Sequence, residues 1–407
     1  MLDRRSLRFL APVALASVLL AACGEDDDND PAPAASGNTA TGAATTGAAG
    51  GGKTVKLGFM GDLTGENSGI VIPPRNGAKM AIDEYNKTNP ATKIEMVEYD
   101  SQADPTKAVA LATQGIKTDK IVGLIGPAFS GESAQVGPVL EEAKIPSVSA
   151  SATNAKLSQN GWKYWHRVLP NDAVQGPGIG DFIAGGAAAK TVFVIDDKSE
   201  YGKPLADAVK ATIEGKGVKV TTDSIDPAGT DFSSAVNKVV AAKPDAIFFG
   251  GYYKAAGGLL KQLRDKGVEA KFFSGDGSLD KGLIEGAGQA AAEGALVGCP
   301  CLVASPDAQD EKIKKFAADY KAAFNADPAI YSAEGYDAAN VFIEAIKAGK
   351  TTAEDINTHI GTLSLKGISK DIKFEPTGEV AAKDIYIYQV KGGKITLLGK
   401  AAEAKLS

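Results

Sequence analysis

Three short segments rich in hydroxyl groups contain the residues of this chain that are best suited to bind a charged small molecule. They are residues 126–133, 147–153 and 250–253, and each follows a short apolar run. Ser130 and Thr153 each precede a predicted helix, where hydroxyl groups and free backbone N–H groups hold a carboxylate well. The same position also suits a simple N-cap, which stabilises only its own helix. The pattern therefore leaves both interpretations open for these two residues.

Catalytic chemistry lacks its usual components in this sequence. His166 and His359 are its two histidines, too few for Ser-His-Asp or metal-triad schemes. Neither a Gly-x-Ser-x-Gly motif nor a Gly-x4-Gly-Lys-[Ser/Thr] phosphate loop occurs. His166 falls in a predicted strand, where a packed or a surface histidine is the better interpretation. We therefore predict a protein that is not an enzyme and that holds neither a metal nor a cofactor.

Two of the three cysteines lie close together, with only Pro300 between Cys299 and Cys301. In an oxidising compartment they could form a structural disulfide, and they could equally be a free dithiol or an incidental pair. Two cysteines are too few for a structural zinc site, and neither histidine lies near them in sequence.

Short apolar strands alternate with amphipathic helices along the rest of the chain, which predicts an α/β fold with parallel sheets covered on both faces. Asp104 before Pro105 is placed to cap a helix that runs to Thr118. A second series of strands and helices starts near Asn171, and a hairpin turned by Gly392-Gly393 ends the chain. The pattern thus predicts two lobes. The predicted strands are residues 55–60, 94–99, 121–125, 146–149, 191–195, 218–222, 246–249, 271–273, 385–390 and 394–398. The first predicted helix contains the apolar positions 78–85. The helices predicted after the one capped by Asp104 are residues 131–143, 201–215, 232–242, 255–266, 307–324, 332–348 and 353–361.

The first residues predict where the protein acts. Residues 1–8 contain three arginines, and residues 9–22 are uncharged and end in Leu-Ala-Ala before Cys23. A helix of that apolar stretch spans roughly 21 Å, less than a hydrocarbon core of about 30 Å. The pattern resembles a bacterial lipobox, which predicts a lipoprotein signal peptide over residues 1–22 and lipidation of Cys23. The alternative is an ordinary signal peptide with an incidental cysteine.

Residues 23–52 are acidic at first and then contain only small, mostly uncharged residues. Such a segment has too little apolar surface to bury, so burial cannot compensate for the conformational entropy that ordering would cost. We therefore expect a disordered linker. The formal net charge of −6 and the absence of a large basic patch argue against a nucleic-acid partner.

Several motifs resemble the leucine/isoleucine/valine-binding proteins of ABC transporters. They extend in order along the chain from about Val55 to the last strands. They are Tyr99-Asp100-x4-Pro105, Gly126-Pro127 with Ser130, Pro146-x6-Thr153, Asp172-x2-Gln175-Gly176, Asp196-Asp-Lys-Ser-Glu-Tyr201-Gly, Phe248-Phe-Gly-Gly-Tyr252 and Gly275-Asp276-Gly277.

This resemblance implies the type I periplasmic-binding-protein fold, with two doubly wound parallel-sheet lobes that close like a clamshell. Three hinge crossings would join the lobes near Asn171, near Cys299 to Cys301 and near Thr377 to Glu379. The N-terminal lobe would then comprise residues 53–171 and 300–378, and the C-terminal lobe residues 172–299 and 379–407.

The resemblance also implies a ligand site. Ser130, Ser151 and Thr153 should hold an α-carboxylate, largely through backbone N–H groups. Asp276 should pair with an α-ammonium, and two tyrosines of the second lobe should close over the ligand. These tyrosines are Tyr201 and Tyr252. Taken singly, Tyr201 could merely pack at a helix start, and Asp276 could be an ordinary turn carboxylate.

The pocket for the ligand side chain departs from the family pattern. Ile70 stands where the family has an aromatic residue, and Ala103 and Phe129 occupy the places of its frequent disulfide. The expected pocket is formed by Ile70, Ala128, Phe129 and Tyr331. Its depth is open, and so is the preference among Leu, Ile, Val, Phe and Ala, because one methylene is worth only about 1–3 kcal/mol.

The resemblance implies an extracytoplasmic, lipid-anchored, monomeric solute-binding protein that delivers a branched-chain amino acid to an ABC permease. Two alternatives stay open. The same fold could serve a sensor that presents its closed form to a receptor, or it could bind another small amino acid, an amide or a urea-like ligand.

Overall fold

Two separate β-sheets organise the chain. The structure is a computed structural model that describes residues 52–406. The first sheet is parallel throughout and has the order β2-β1-β3-β4-β5. Its strands are β1 (Lys53–Gly61), β2 (Thr92–Asp100), β3 (Gly123–Ile125), β4 (Ser147–Ser149) and β5 (Trp165–Arg167).

The second sheet has seven strands in the order β14-β13-β10-β9-β8-β6-β7. The strands from β6 to β10 are parallel, while the final hairpin β13–β14 joins β10 in antiparallel pairing. A separate small hairpin pairs β11 with β12. These strands are β6 (Thr191–Asp196), β7 (Lys219–Ser224), β8 (Ala246–Gly250), β9 (Lys271–Ser274), β10 (Leu296–Cys299), β11 (Ser364–Lys366), β12 (Asp371–Lys373), β13 (Tyr386–Lys391) and β14 (Lys394–Lys400).

Helices cover the faces of both sheets. Twelve α-helices occur among residues 52–406, together with short 3-10 and π turns. They are α1 (Ile72–Lys87), α2 (Pro105–Gln114), α3 (Ser130–Ala143), α4 (Asp172–Asp181), α5 (Gly202–Gly215), α6 (Ser233–Ala242), α7 (Tyr253–Asp265), α8 (Lys281–Ala287), α9 (Gln289–Ala292), α10 (Glu311–Phe324), α11 (Ser332–Lys347) and α12 (Ala353–Ile360).

The chain passes between the two sheets three times. It leaves the first sheet after β5, because α4 packs against α5 and β10 of the second sheet. It returns after β10, because α11 packs against α1, β3 and β4. It crosses again between Val380, which is bridged to Phe374, and β13. The late helices thus cover the first sheet. The described residues form one compact unit, which defines no boundary between the lobes. The exact lobe boundaries therefore stay predictions.

The α/β alternation confirms the predicted fold class, and the differences concern the ends of elements. Asp104 caps α2 as predicted, because its carboxylate accepts from the N–H groups of Thr106 at 2.8 Å and Lys107 at 3.3 Å. The α-helix ends at Gln114, however, and continues as a π turn. The helix predicted from residue 307 begins at Glu311, because Asp310 caps it. The sequence pattern missed three strands, β10, β11 and β12, and three helices, α4, α8 and α9.

Every prediction made on residues 1–51, including lipidation of Cys23, lies outside the described residues. Residue 52 is the only part of the predicted linker that is described. Among residues 52–406, no helix combines the length and the apolar character that crossing a membrane requires.

Two glycines allow α1 and α11 to approach each other closely. A Cβ atom on Gly77 would overlap the carbonyl oxygen of Ser332, and one on Gly335 would overlap that of Pro74. The neighbours are backbone atoms, so they cannot yield as a flexible side chain would. This contact holds the first turn of α11 close against α1.

We expect Gly77→Ala to lower the free energy of unfolding by about 1–3 kcal/mol, because overpacking outweighs the better helix propensity of alanine. Gly215→Ala is the matched control, since its added methyl group meets nothing within 4 Å. It should leave stability unchanged or raise it slightly. Urea unfolding of both variants tests this, and equal stabilities would contradict the close-packing explanation.

Candidate ligand-binding cleft

A small cavity lies between the carboxyl ends of the two sheets. About 20 Å³ of it is open to a water-sized sphere, which is roughly the room that one water molecule needs. Every residue assigned to the ligand by the motifs lines this cavity except Thr153. The lining residues are Ile70, Val71, Ala128, Phe129, Ser130, Ser151, Tyr201, Tyr252, Asp276, Gly277 and Tyr331. Their ligand roles stay predictions.

Neither Ser130 nor Thr153 caps a helix, so the capping interpretation is wrong for both. Ser130 is the first residue of α3, with Phe129 at the N-cap position. Its Oγ accepts a hydrogen bond from the Asn154 N–H at 3.2 Å, which ties two hydroxyl-rich segments together. Thr153 precedes Asn154, and it is Asn154 that caps the following 3-10 turn by accepting from Lys156 N–H.

The segment after β4 already uses several of its polar groups. Ser149 Oγ accepts from the N–H groups of Ser151 at 3.4 Å and Ala152 at 3.0 Å. Ser151 Oγ donates to the Ala128 carbonyl at 2.8 Å. Thr153 is fully buried behind the cavity, and its Oγ1 makes no well-formed hydrogen bond. The predicted carboxylate site is therefore assembled only in part from free groups.

Asp276 is the buried anion of the cavity. Its Oδ1 accepts from the Tyr201 hydroxyl and from Gln175 Nε2, both at 2.6 Å, and its Oδ2 accepts from the Tyr331 hydroxyl. Burial raises the pKa of Asp276, and these three hydrogen bonds oppose that increase. The donors come from both sides of the cleft, since Tyr331 immediately precedes α11 on the first lobe.

Tyr331 contributes more than the apolar wall that the motifs predict. Its backbone adopts a left-handed conformation with φ of 62°, which is rare for a bulky residue. This conformation turns the chain just before α11, and the hydroxyl reaches Asp276. The sequence gives no signal of this polar role.

Aromatic rings cover the rest of the cavity. The Tyr201 and Tyr252 ring centroids lie 5.1 Å apart, and Phe129 meets Tyr252 edge to face at 5.4 Å. Phe129 comes from the first lobe and Tyr252 from the second, so this contact joins the two walls. Phe129 thus packs against the opposite wall as well as lining the cavity.

Sequence reasoning missed two buried polar groups beside Asp276. Gln175 Nε2 also donates to Asp172 Oδ1 at 3.1 Å, so it bridges the two carboxylates. Burial, with a smaller effect of the Asp276 charge, raises the pKa of Asp172 to about 8. The available signal was the Asp172-x2-Gln175 spacing, which places both residues on one face of the first turn of α4.

A buried ion pair supports the segment that carries Ser151. Arg167 is fully buried, and Glu379 Oε1 accepts from its Nη2 at 2.6 Å while Nε lies 3.0 Å from Oε2. Arg167 Nη1 also donates to the Ala152 carbonyl at 2.7 Å, and the guanidinium lies over the Trp165 ring. No local pattern connects residues so distant in sequence, so this pair was not predicted.

Comparison with known proteins identifies the family. Residues 54–394 match the family model described as periplasmic binding protein. This chain is a member of that family. The match confirms the family that the sequence motifs indicate.

Two curated relatives align with most of the length of this binding protein. The leucine-, isoleucine-, valine-, threonine- and alanine-binding protein of Pseudomonas aeruginosa is 30% identical over 83% of this chain and 90% of its own length. The Leu/Ile/Val-binding protein BraC3 of Rhizobium johnstonii is 30% identical over 84% of this chain and 93% of its own length.

Solved structures share the fold. A leucine-binding protein of Thermotoga maritima is 28% identical with a TM-score of 0.78, covering 85% of this binding protein and 98% of that chain. A branched-chain amino acid substrate-binding protein of Streptococcus pneumoniae, solved with isoleucine, is 25% identical with a TM-score of 0.79. It covers 85% of this chain and all of its own.

The remaining candidates for chemistry in this binding protein are structural. Cys299 and Cys301 form a buried disulfide with a Cα–Cα distance of 5.1 Å. His166 is buried against Phe374, as the packed interpretation expects, and burial lowers its pKa to about 4. Among residues 52–406, no group of three or more His, Cys, Asp or Glu side chains is arranged to hold a metal ion.

Glu132 holds the start of α3 from inside the protein. It is completely buried, its Oε2 accepts from the Phe129 N–H at 3.3 Å, and its Oε1 accepts from the Ser101 hydroxyl. Burial raises the pKa of Glu132 from 4.5 to about 7. The folded state therefore binds this proton more tightly than the unfolded state does.

We expect the contribution of Glu132 to stability to be fully present below pH 4.5 and to fall as the pH rises to about 7, by up to about 1.4 kcal/mol per pH unit. Glu132→Gln cannot titrate. Its amide oxygen can accept from the Phe129 N–H while its amide nitrogen donates to the Ser101 hydroxyl oxygen, as a protonated carboxyl group would. The difference in unfolding free energy between the variant and the unmodified protein should therefore grow in favour of the variant from pH 5 to pH 7. Urea unfolding measures this difference, and a constant difference would contradict a protonated Glu132.

Proposed function

We propose that this periplasmic binding protein captures a branched-chain amino acid between its lobes and delivers it to an ABC permease. The observation that carries the proposal is the buried Asp276 carboxylate, held in the cleft by donors from both lobes. The names of the relatives support the ligand class, because those of Pseudomonas aeruginosa and Rhizobium johnstonii are named for binding leucine, isoleucine and valine.

The charges of the cleft suit a dipolar ligand. A zwitterion that leaves water must have both charges met, since an unpaired buried charge costs several kcal/mol or more. Asp276 supplies the counter-charge for an ammonium group. The carboxylate would lie at Ser130 and Ser151, near the N-terminus of α3, where free N–H groups favour an anion. Thr153, which does not line the cavity, would support this segment without touching the ligand.

Apolar side chains complete the proposed pocket. Ile70, Val71, Ala128 and Phe129 all line the cavity from the first lobe. They match an aliphatic side chain and offer no partner for a polar one. A branched-chain amino acid therefore fits the lining better than an amide or a urea-like ligand, which would leave its polar atoms unpaired.

Ligand entry requires the cleft to open. Residues of both lobes surround the cavity, so a ligand can reach it only when the lobes part. Hydrogen bonds also cross the cleft outside the cavity, from Asn154 Nδ2 to the Glu200 carbonyl at 2.6 Å and from the Tyr253 hydroxyl to the Glu66 carbonyl at 2.5 Å. We infer that these contacts break when the lobes part and re-form around the ligand, so that the closed surface signals occupancy to the permease.

The proposed setting is extracytoplasmic. Lipidation of Cys23 would hold the protein at a membrane, and we expect the protein to be a monomer there. The linker of roughly 30 residues would give the binding domain an r.m.s. reach of about 30 Å. The proposed role involves no covalent step, so neither a nucleophile nor a cofactor is needed.

Asp276→Asn should weaken leucine binding at least tenfold, because it removes the charge that faces the ammonium while keeping the shape of the side chain. Isothermal titration calorimetry of the purified domain measures this. The matched control is Asp207→Asn, the same change at an exposed carboxylate of α5 that pairs with Lys203. Equal leucine affinities in all three proteins would reject the proposed ammonium site, and failure of the unmodified domain to bind any of the twenty amino acids would reject the function.

Cys23→Ser should move the full-length protein from the membrane fraction to the soluble fraction and abolish incorporation of a labelled fatty acid, because the thiol is the proposed acylation site. Asp26→Asn, which leaves the cysteine in place, is the control. Membrane retention of the serine variant would show that another segment provides the attachment.

A further inference from the structure

Two buried carboxylates share a single amide group at the back of the cavity. Gln175 Nε2 lies 2.6 Å from Asp276 Oδ1 and 3.1 Å from Asp172 Oδ1, so the two acids are close neighbours. Both side chains are only 2% exposed. Within residues 52–406, neither forms an ion pair with a lysine, arginine or histidine.

The groups around the pair do not neutralise two negative charges. Arg167 at the end of β5 is the nearest cation, and it is already paired with Glu379. The hydroxyl groups of Tyr201 and Tyr331 donate to Asp276 but carry no charge. Tyr252 adds a further neutral phenol, and Lys370 is paired with Glu334. The other charged groups that face this part of the cleft are carboxylates. They are Glu132 of α3, Asp197 after β6 and Glu334 of α11.

Hydrogen bonding around Asp172 adds no positive charge either. Asp172 Oδ2, Gln175 Oε1 and Thr153 Oγ1 are buried without a well-formed hydrogen bond. The Thr153 hydroxyl faces the Asp172 carboxyl group and can donate to it, which opposes part of the rise in the pKa of Asp172. The second buried acid therefore has only neutral donors beside it.

We propose that Asp172 and Asp276 together hold one proton before the ligand binds and release it to solvent when an ammonium group binds at Asp276. The charge around the two acids balances, because one proton leaves the pair as one ammonium enters, so this end of the site keeps a net charge of −1. The carboxylate of the ligand is met separately, near the N-terminus of α3. The inference rests on the proposed function, since it requires a ligand that carries an ammonium group. It assigns Asp172 as a positioning residue that acts through Gln175 and Asp276 without lining the cavity.

The physical basis is repulsion between like charges in a dry site. Two neighbouring buried carboxylates cannot both ionise cheaply, so one of them keeps its proton until a cation arrives. Burial and the Asp276 charge raise the pKa of Asp172 to about 8, which is consistent with a proton retained at pH 7. Because binding then releases a proton, leucine affinity should increase with pH, by at most tenfold per unit, between pH 6 and about 8.

Calorimetry in buffers with different ionisation enthalpies counts this proton. Leucine is titrated into the purified domain at pH 7 in phosphate and in Tris. We expect the apparent binding enthalpy to differ between buffers by an amount equivalent to nearly one proton released. Asp172→Asn keeps an acceptor for Gln175 and offers an N–H toward Thr153, so it should still bind leucine but release no proton.

Asp337→Asn is the matched control, since Asp337 is another buried carboxylate with a raised pKa but lies in the first lobe against the loop at residues 367–370. It should release the same number of protons as the unmodified protein. The inference would be overturned if leucine bound with the same enthalpy in both buffers and if its affinity did not change from pH 6 to pH 7.5. This outcome would count even if Asp172→Asn failed to fold. Absence of binding of any amino acid would instead overturn the proposed function, so the two failures are distinguishable.

Discussion

The desolvated carboxylate of Asp276 is the constraint on which the rest of the cleft depends. An isolated buried charge is unstable, so the surrounding structure must deliver donors to it. Tyr201 and Gln175 approach from the second lobe and Tyr331 from the first. The hydrogen bond from Tyr331 is thus in place only while the lobes are together. Closure and the electrostatics of the site are therefore parts of one equilibrium, and a ligand cation enters by replacing donors that already exist.

The scaffold fixes this geometry through backbone contacts. Gly77 and Gly335 let α1 and α11 touch, and Gly335 lies one turn after Tyr331. The same contact holds the start of α1, which directly follows the cavity residues Ile70 and Val71. Apolar and polar walls of the cleft are consequently set by one helix pair, so a loss of close packing there would be felt as a change in ligand affinity.

The residues that line the cavity were implied by the family resemblance, whose motifs stand at strand ends that meet at one edge of a parallel sheet. Local pattern was sufficient to predict most of the alternation of strands and helices. It failed where partners are far apart in sequence, as with Arg167 and Glu379, or where a rare backbone conformation redirects a side chain, as at Tyr331. It also misread Ser130 and Thr153 as potential caps, because Phe129 and Asn154 take those positions. The first two failures concern tertiary geometry, which hydrophobic periodicity does not encode. The third concerns the exact residue at which a helix begins.

The Arg167–Glu379 ion pair has a mechanical consequence. Arg167 ends the strand from which the first connection leaves, and Glu379 lies just before the third connection. The Arg167 N–H also donates to the Gly378 carbonyl at 3.0 Å, so backbone and side chain fasten these two connections to each other. The two connections must therefore rotate as one unit. This coupling prevents them from twisting independently, so the lobes can rotate relative to each other only about one shared axis.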